Sequence, residues 1–86
     1  MAPLPPNPVF RSMMLYRTAR TIAGLTVREL AAAADVSTAT ITKLETGAEL
    51  KPATMRKIRP VLEANGAKFV PHEKWGEWVE PNMGGE

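Results

Sequence analysis

Four hydroxyls and one lysine fall within seven consecutive residues, Ser37, Thr38, Ala39, Thr40, Ile41, Thr42 and Lys43. Thr38, Thr40 and Thr42 can each donate or accept a hydrogen bond, and their methyls can touch the methyl of thymine. Lys43 can donate to guanine O6 and N7 or to a phosphate. Ala39 lets a helix sit close to whatever it contacts. This is the chemistry of reading base edges in duplex DNA. The plain alternative is a threonine-rich helix facing solvent. Threonine is a mediocre helix former, so three in one exposed helix ask for a reason. Catalysis has no comparable set. His72 stands beside Glu73, whereas a metal site needs three or four converging ligands. Ser12 and Ser37 have no base nearby in the sequence, and there is no glycine-rich phosphate loop. We therefore expect no enzyme activity, metal or cofactor.

The surrounding residues predict how this segment is held. Asn7 and Pro8 suit a helix cap and first helical position. A first helix then runs to about Ala23, with Met13, Tyr16, Arg20 and Ala23 on one face and Phe10 beside them, and Gly24 ends it. Leu15 and Ile22, roughly opposite Tyr16, read as lone surface residues or as part of a subunit contact; the contact is favoured. Thr26-Val-Arg-Glu29 is a capping box for a second helix reaching about Ala34. Its four alanines, 31 to 34, allow close helix approach. Asp35-Val36 is the turn. Ser37 caps a third helix, about 37–46, that points Ile41 and Leu44 inward, and Gly47 is its left-handed terminator. A loop, Ala48 to Pro52, leads to a fourth helix starting near Ala53 or Thr54 and ending at Asn65-Gly66. Met55, Ile58 and Leu62 form its stripe. Pro60 inside it predicts a bend or an irregular first turn. Arg56, Lys57 and Arg59 read as a solvated face. Beyond Gly66, Lys68-Phe-Val70 and Glu77-Trp-Val79 are short β-like runs around Lys74-Trp75-Gly76, a candidate hairpin. Such a hairpin is marginal alone. It needs the fourth helix beneath it or a second subunit beside it.

Arg20, Gly24-Leu-Thr26, Glu29-Leu-Ala31, Val36-Ser37, Ile41, Leu44-Glu45 and Gly47 together resemble the XRE family, the lambda-repressor and Cro-like helix-turn-helix domains. The resemblance covers about residues 10–65. The segment Ala64 to Val70 also resembles small bacterial members in which Gly-x-x-Phe follows the last helix. The resemblance implies that Arg20 pairs with Glu45, tying the first helix to the third. It implies that Thr26 and the amide of Val27 hold a DNA phosphate at a helix N-terminus. Ser37, Thr38, Ala39, Thr42 and Lys43 then occupy reading positions, and Lys51 occupies a basic loop position that reaches the backbone or minor groove. Thr40 joins this set by its own chemistry, and Arg28 is either a phosphate contact or a free surface charge. No Gln, Asn or Arg sits at the central reading positions. Thymine methyl contacts and DNA shape therefore carry more of the expected readout.

Composition narrows the rest. Eighty-six residues allow one small domain. There is no cysteine, hence no disulfide framework or thiolate site, which suits a reducing cytoplasm. No apolar run approaches the roughly 18 residues that span a bilayer, and the N-terminus lacks a signal-peptide pattern. The net charge of +2 is uneven: residues 1–68 hold ten Lys or Arg against five acids, whereas the remainder sets Lys74 against four glutamates. A basic body suits a polyanion.

The expected architecture is mainly α: a lambda-repressor-like four-helix domain over 9–66, a flexible lead-in at 1–8, a C-terminal β element at 67–80 and a flexible tail at 81–86. The expected function is a cytoplasmic, sequence-specific regulator, a repressor binding a palindromic operator as a homodimer, of the kind a phage or mobile element carries. Phe69, Val70, Trp75, Trp78 and Val79 are the expected dimer or partner surface. The alternatives are an antitoxin that represses its own operon and binds a toxin through the tail, and a protein-interaction module that binds a partner such as RNA polymerase through Trp75 and Trp78.

Overall fold

Proline lacks the amide that the first turn of a helix leaves unpaired in any case. The chain uses this twice, starting α1 (Pro8–Ala23) at Pro8 and α4 (Pro52–Ala64) at Pro52. Between them lie two eight-residue helices, α2 (Val27–Ala34) and α3 (Thr38–Glu45). An antiparallel hairpin, β1 (Ala67–His72) and β2 (Gly76–Pro81), completes the order. The structure, a computed structural model, describes the backbone of residues 8–83 and the side chains of residues 12–83. The expected Asn7 cap, the Phe10 contact and most of the lead-in and tail lie outside those residues.

One core joins all six elements. Leu30, Ile41, Ile58, Leu62 and Val79 are fully buried, with Leu15, Ala19, Ala31, Ala34, Leu44 and Ala67 beside them. The alanines let α2 pack closely on α3 and α4. Leu15 and Ala19, one turn apart, are the buried line of α1, and Ile22 packs partly against the core. This corrects two expectations. The Tyr16–Arg20–Ala23 face is only half-buried, and Leu15 lies in the core while Ile22 packs partly against it, which gives both a place within the chain's own fold. The reason is that α1 is covered from two sides, by α3 and α4 and by the hairpin, so its apolar surface is broader than one stripe. Helix α4 begins at Pro52, earlier than expected, and continues through Pro60. Pro60 and Arg56, whose carbonyl loses its partner, are both exposed, so water can replace the missing bond.

The hairpin pairs Phe69 with Val79 and Val70 with Trp78. Its turn, Glu73-Lys74-Trp75, closes onto Gly76, which has φ +78°. His72 Nδ1 accepts the amides of Lys74 (3.1 Å) and Trp75 (3.0 Å). The pairing extends to Ala67–Pro81, and the Asn82 amide donates to the Gly66 carbonyl at 2.8 Å. Residues 81 and 82 are thus part of the hairpin's base, a correction to the expected tail boundary.

Arg59 fastens the hairpin. It makes a two-pronged contact with Glu77 (2.9 and 2.7 Å), donates to the Tyr16 hydroxyl (3.2 Å) and lies 4.0 Å over the Phe69 ring. Tyr16 and Phe69 meet at 6.0 Å. Arg59 was expected on a solvated face; instead it links α4 to α1, β1 and β2. Sequence spacing could not reveal this, because three of its partners lie on other elements. The bond to Glu77 is the main cause that raises its pKa, so it stays charged at any working pH.

Val79 is 2% exposed and belongs to the chain's own core, which removes it from the expected partner surface. Val79→Ala should cost about 2 kcal/mol, from two lost methyl-sized groups and the space they leave. Urea unfolding at several protein concentrations checks this: the loss should not depend on concentration, as it would if Val79 packed between subunits.

Candidate nucleic-acid interface

Three backbone devices place the polar residues of the helix-turn-helix segment. The first is the capping box of α2. The Thr26 hydroxyl accepts the Glu29 amide (3.0 Å), and the Glu29 carboxylate accepts the Thr26 amide (2.8 Å). With those groups paired, the amides of Val27 and Arg28 are open donors of the first turn. Thr26 and Arg28 are exposed, and Val27 is half-buried. An anion at this end meets free amides and a favourable helix dipole.

The second device is the turn. Asp35 takes φ +58°, a left-handed conformation that its short polar side chain tolerates. Its amide donates back into α2, and the Val36 amide reaches the Ala31 carbonyl at 3.0 Å. The third is the cap of α3. Ser37 Oγ accepts the Thr40 amide at 3.1 Å and shares a 2.9 Å hydrogen bond with the Thr40 hydroxyl.

These contacts sort the expected reading residues. Ser37 and Thr40 spend hydroxyl groups on each other and on the cap, and Thr40 is half-buried. Thr38, Ala39, Thr42 and Lys43 are exposed. Among the described residues, the hydroxyls of Thr38 and Thr42 have no protein partner. Helical spacing puts Ala39, Thr42, Lys43 and Thr46 on one outward face. Thr46 was missed by the sequence reading, although it stands seven residues after Ala39. It is exposed, and its hydroxyl donates to the Lys43 carbonyl at 3.0 Å. Lys51 caps α4 without a side-chain hydrogen bond. It lines an open groove with Ser37, Thr40, Lys43, Glu49 and Thr54.

Behind this face, Glu45 is buried at the end of α3. Arg20 Nε donates to its Oε2 (2.5 Å), and Nη2 donates to Oε1 (2.9 Å). Arg20 Nη1 also donates to the Leu25 carbonyl (3.1 Å), so one guanidinium holds α3 and the α1–α2 turn together. The Glu45 hydrogen bond is the main cause that raises the Arg20 pKa, against a smaller opposing effect of burial. A raised pKa on a cation stabilises the fold at pH below the unfolded value. That contribution fades only above the ordinary arginine range, so acid or neutral titration of Arg20 cannot loosen the joint.

The family model for helix-turn-helix domains, HTH_3, matches residues 17–62. The chain belongs to the HTH_3 family. The match to this XRE-type helix-turn-helix domain takes in the C-terminal part of α1, all of α2 and α3, and most of α4. The match stops short of the hairpin. A solved structure, that of the clp gene regulator ClgR from C. glutamicum, superposes with a TM-score of 0.59 at 30% identity. The likeness covers 73% of this chain and 81% of that one. Comparison with curated proteins gives no match. No helix among the described residues is long and apolar enough to cross a membrane.

The HTH_3 unit depends on the joint at Glu45. Glu45→Ala leaves the Arg20 guanidinium partly buried and without its carboxylate, and should cost about 3 kcal/mol. Thermal unfolding checks this, with a drop far larger than that for an exposed charge such as Glu63→Ala.

Proposed function

We propose that this DNA-binding regulator is a repressor that reads a palindromic operator as a homodimer, with α3 in the major groove. The observation that carries this reading is the outward face of α3, where Ala39, Thr42 and Lys43 present small, hydrogen-bonding and cationic groups together. A groove about 12 Å wide admits such a helix. The open amides of Val27 and Arg28, with Thr26, suit one phosphate, and Lys51 suits another. Thr38 and Thr42 contribute hydrogen bonds and methyl contacts, Lys43 reads guanine or phosphate, and Ser37 and Thr40 shape the helix start. ClgR, a clp gene regulator by its description, supports a role in transcription. With no bidentate Asn, Gln or Arg on this face, one domain discriminates weakly. Two copies on half-sites about one helical turn apart supply the missing specificity. We place the protein in the cytoplasm, where its DNA lies.

The decisive experiment is binding of the purified protein to the DNA upstream of its own coding sequence, against a scrambled duplex, across a salt series. Preference for the upstream DNA, with affinity falling steeply as salt rises, is the expected result. Thr38→Ala with Lys43→Ala should abolish that preference while leaving the circular dichroism spectrum unchanged. Equal weak binding to both duplexes would sink direct readout by α3.

The dimer reading rests on the hairpin. Val70 and Trp78 face each other across the strands, Trp75 meets Trp78 edge-on at 5.1 Å, and His72 stacks on Trp75 at 4.9 Å. All four are half-exposed, although Trp78 also packs in part against the chain's own core, and we assign the exposed part of this face to the second copy. Trp75→Ala should shift the protein from dimer to monomer in sedimentation equilibrium without lowering its helix content. A monomeric wild type would overturn the assignment.

A further inference from the structure

Glu45 has two carboxylate oxygens, and Arg20 bonds to both. A second arginine nevertheless stands at the same carboxylate. Arg17 Nε lies 3.7 Å from Glu45 Oε1, too far for a hydrogen bond yet close enough for attraction to hold it there. The three side chains differ sharply in exposure: 6% for Glu45, 19% for Arg20 and 60% for Arg17. Two arginines on one carboxylate leave a net charge of +1. Because Arg20 satisfies Glu45, that surplus sits on the exposed arginine. An exposed pair at this distance contributes little to stability, so packing alone does not account for Arg17.

Its position gives the charge a use. On α3, Glu45 lies in line with Thr42 and Thr38, three and seven residues before it. Arg17 therefore flanks the Thr38–Thr42 edge of the outward face. The opposite edge is bounded by Lys43 and Lys51, along the groove they line with Ser37, Thr40 and Thr54. A major groove that receives α3 has a phosphate backbone on each side. We propose that Arg17 binds a DNA phosphate on the α1 side of α3, giving the reading helix a cation along both edges. This rests on the placement of α3 in the major groove. Arginine suits the task, since its fork matches phosphate oxygens and it never loses its charge. The contact is to backbone, so it adds affinity and orientation without base preference.

The test is fluorescence anisotropy on a mixed-sequence duplex of about 30 base pairs, some three helical turns, over a salt series. Arg17→Ala and Arg17→Gln should each weaken binding roughly three- to tenfold per bound protomer at low salt. Each should also make the slope of log affinity against log salt shallower by about 0.9 per protomer, or about 1.8 for a bound dimer. Arg17→Lys should restore the slope. Lys74→Ala, which removes one charge from the distant hairpin turn, should leave it unchanged. All four variants should keep the wild-type melting point within about 2 °C. A wild-type slope in both charge-removing variants would overturn the proposal while leaving α3 as the reading helix. An equal fall in Lys74→Ala would also overturn it, by showing an effect of net charge alone. A wild type with no salt-dependent binding would remove the α3 placement and this inference together.

Discussion

The placement of α3 depends on one buried carboxylate, that of Glu45. Helices α2 and α3 have eight residues each, below the length at which an isolated helix persists in water. Their caps improve the odds but do not set their direction. Ile41 and Leu44 press α3 onto the core, yet hydrophobic contact is non-directional and tolerates rotation and sliding. Arg20 removes that freedom. Its planar fork meets Glu45 along two bonds, and its third bond, to the Leu25 carbonyl, fixes the turn that leads into α2. One guanidinium thus sets how α2, with the open amides of its first turn, is angled against α3, with its outward polar face.

A second arginine solves the corresponding problem for the hairpin. Two strands cannot bury enough surface to persist alone. Val79 and Ala67 place one face of the hairpin in the core, and Arg59 ties that face to α4 and α1 through Glu77, Phe69 and Tyr16. Glu77 is more exposed than Glu45, so solvent screens this pair more and its net contribution is smaller. The difference suits their tasks. The joint behind α3 must hold an angle, whereas the one under β2 adds to a hydrophobic contact that already exists. With its inner face occupied, the hairpin leaves Val70, His72 and Trp75 half-exposed, while Trp78 packs partly against the core.

The interface combines firm placement with modest chemistry. Small side chains suit α3 to the close approach to DNA proposed for it, while the strong bidentate base readers are missing from its face. In the proposed complex, affinity leans on phosphate contacts and specificity on repetition, shape and methyl contacts. The extra cost of holding a buried ion pair is acceptable in such a design, because an angular error at the helix would misplace every weak contact at once.

Local signals alone determined much of this protein. The Thr26–Glu29 box, the Ser37 cap, the Asp35 turn and the breaks at Gly24, Gly47 and Gly66 act within a few residues, so the helices between them were legible before any packing was known. The two strands of the hairpin were legible as short β-like runs, whereas their register and the inward turn of Val79 came from the fold. The family pattern anticipated the Arg20–Glu45 joint across 25 residues. What tertiary structure decided were the partners of groups whose neighbours lie far along the chain. The face of α1 that is buried, the fate of Leu15 and Ile22, the role of Arg59 and the removal of Val79 from the surface all depend on the hairpin folding back over α1 and α4. Among the reading residues, only the folded cap revealed that Ser37 and Thr40 bond to each other while Thr38 and Thr42 remain open. Short-range hydrogen bonds are written in residue order; burial and ion pairing depend on which surfaces meet, and one chain's spacing does not encode that directly.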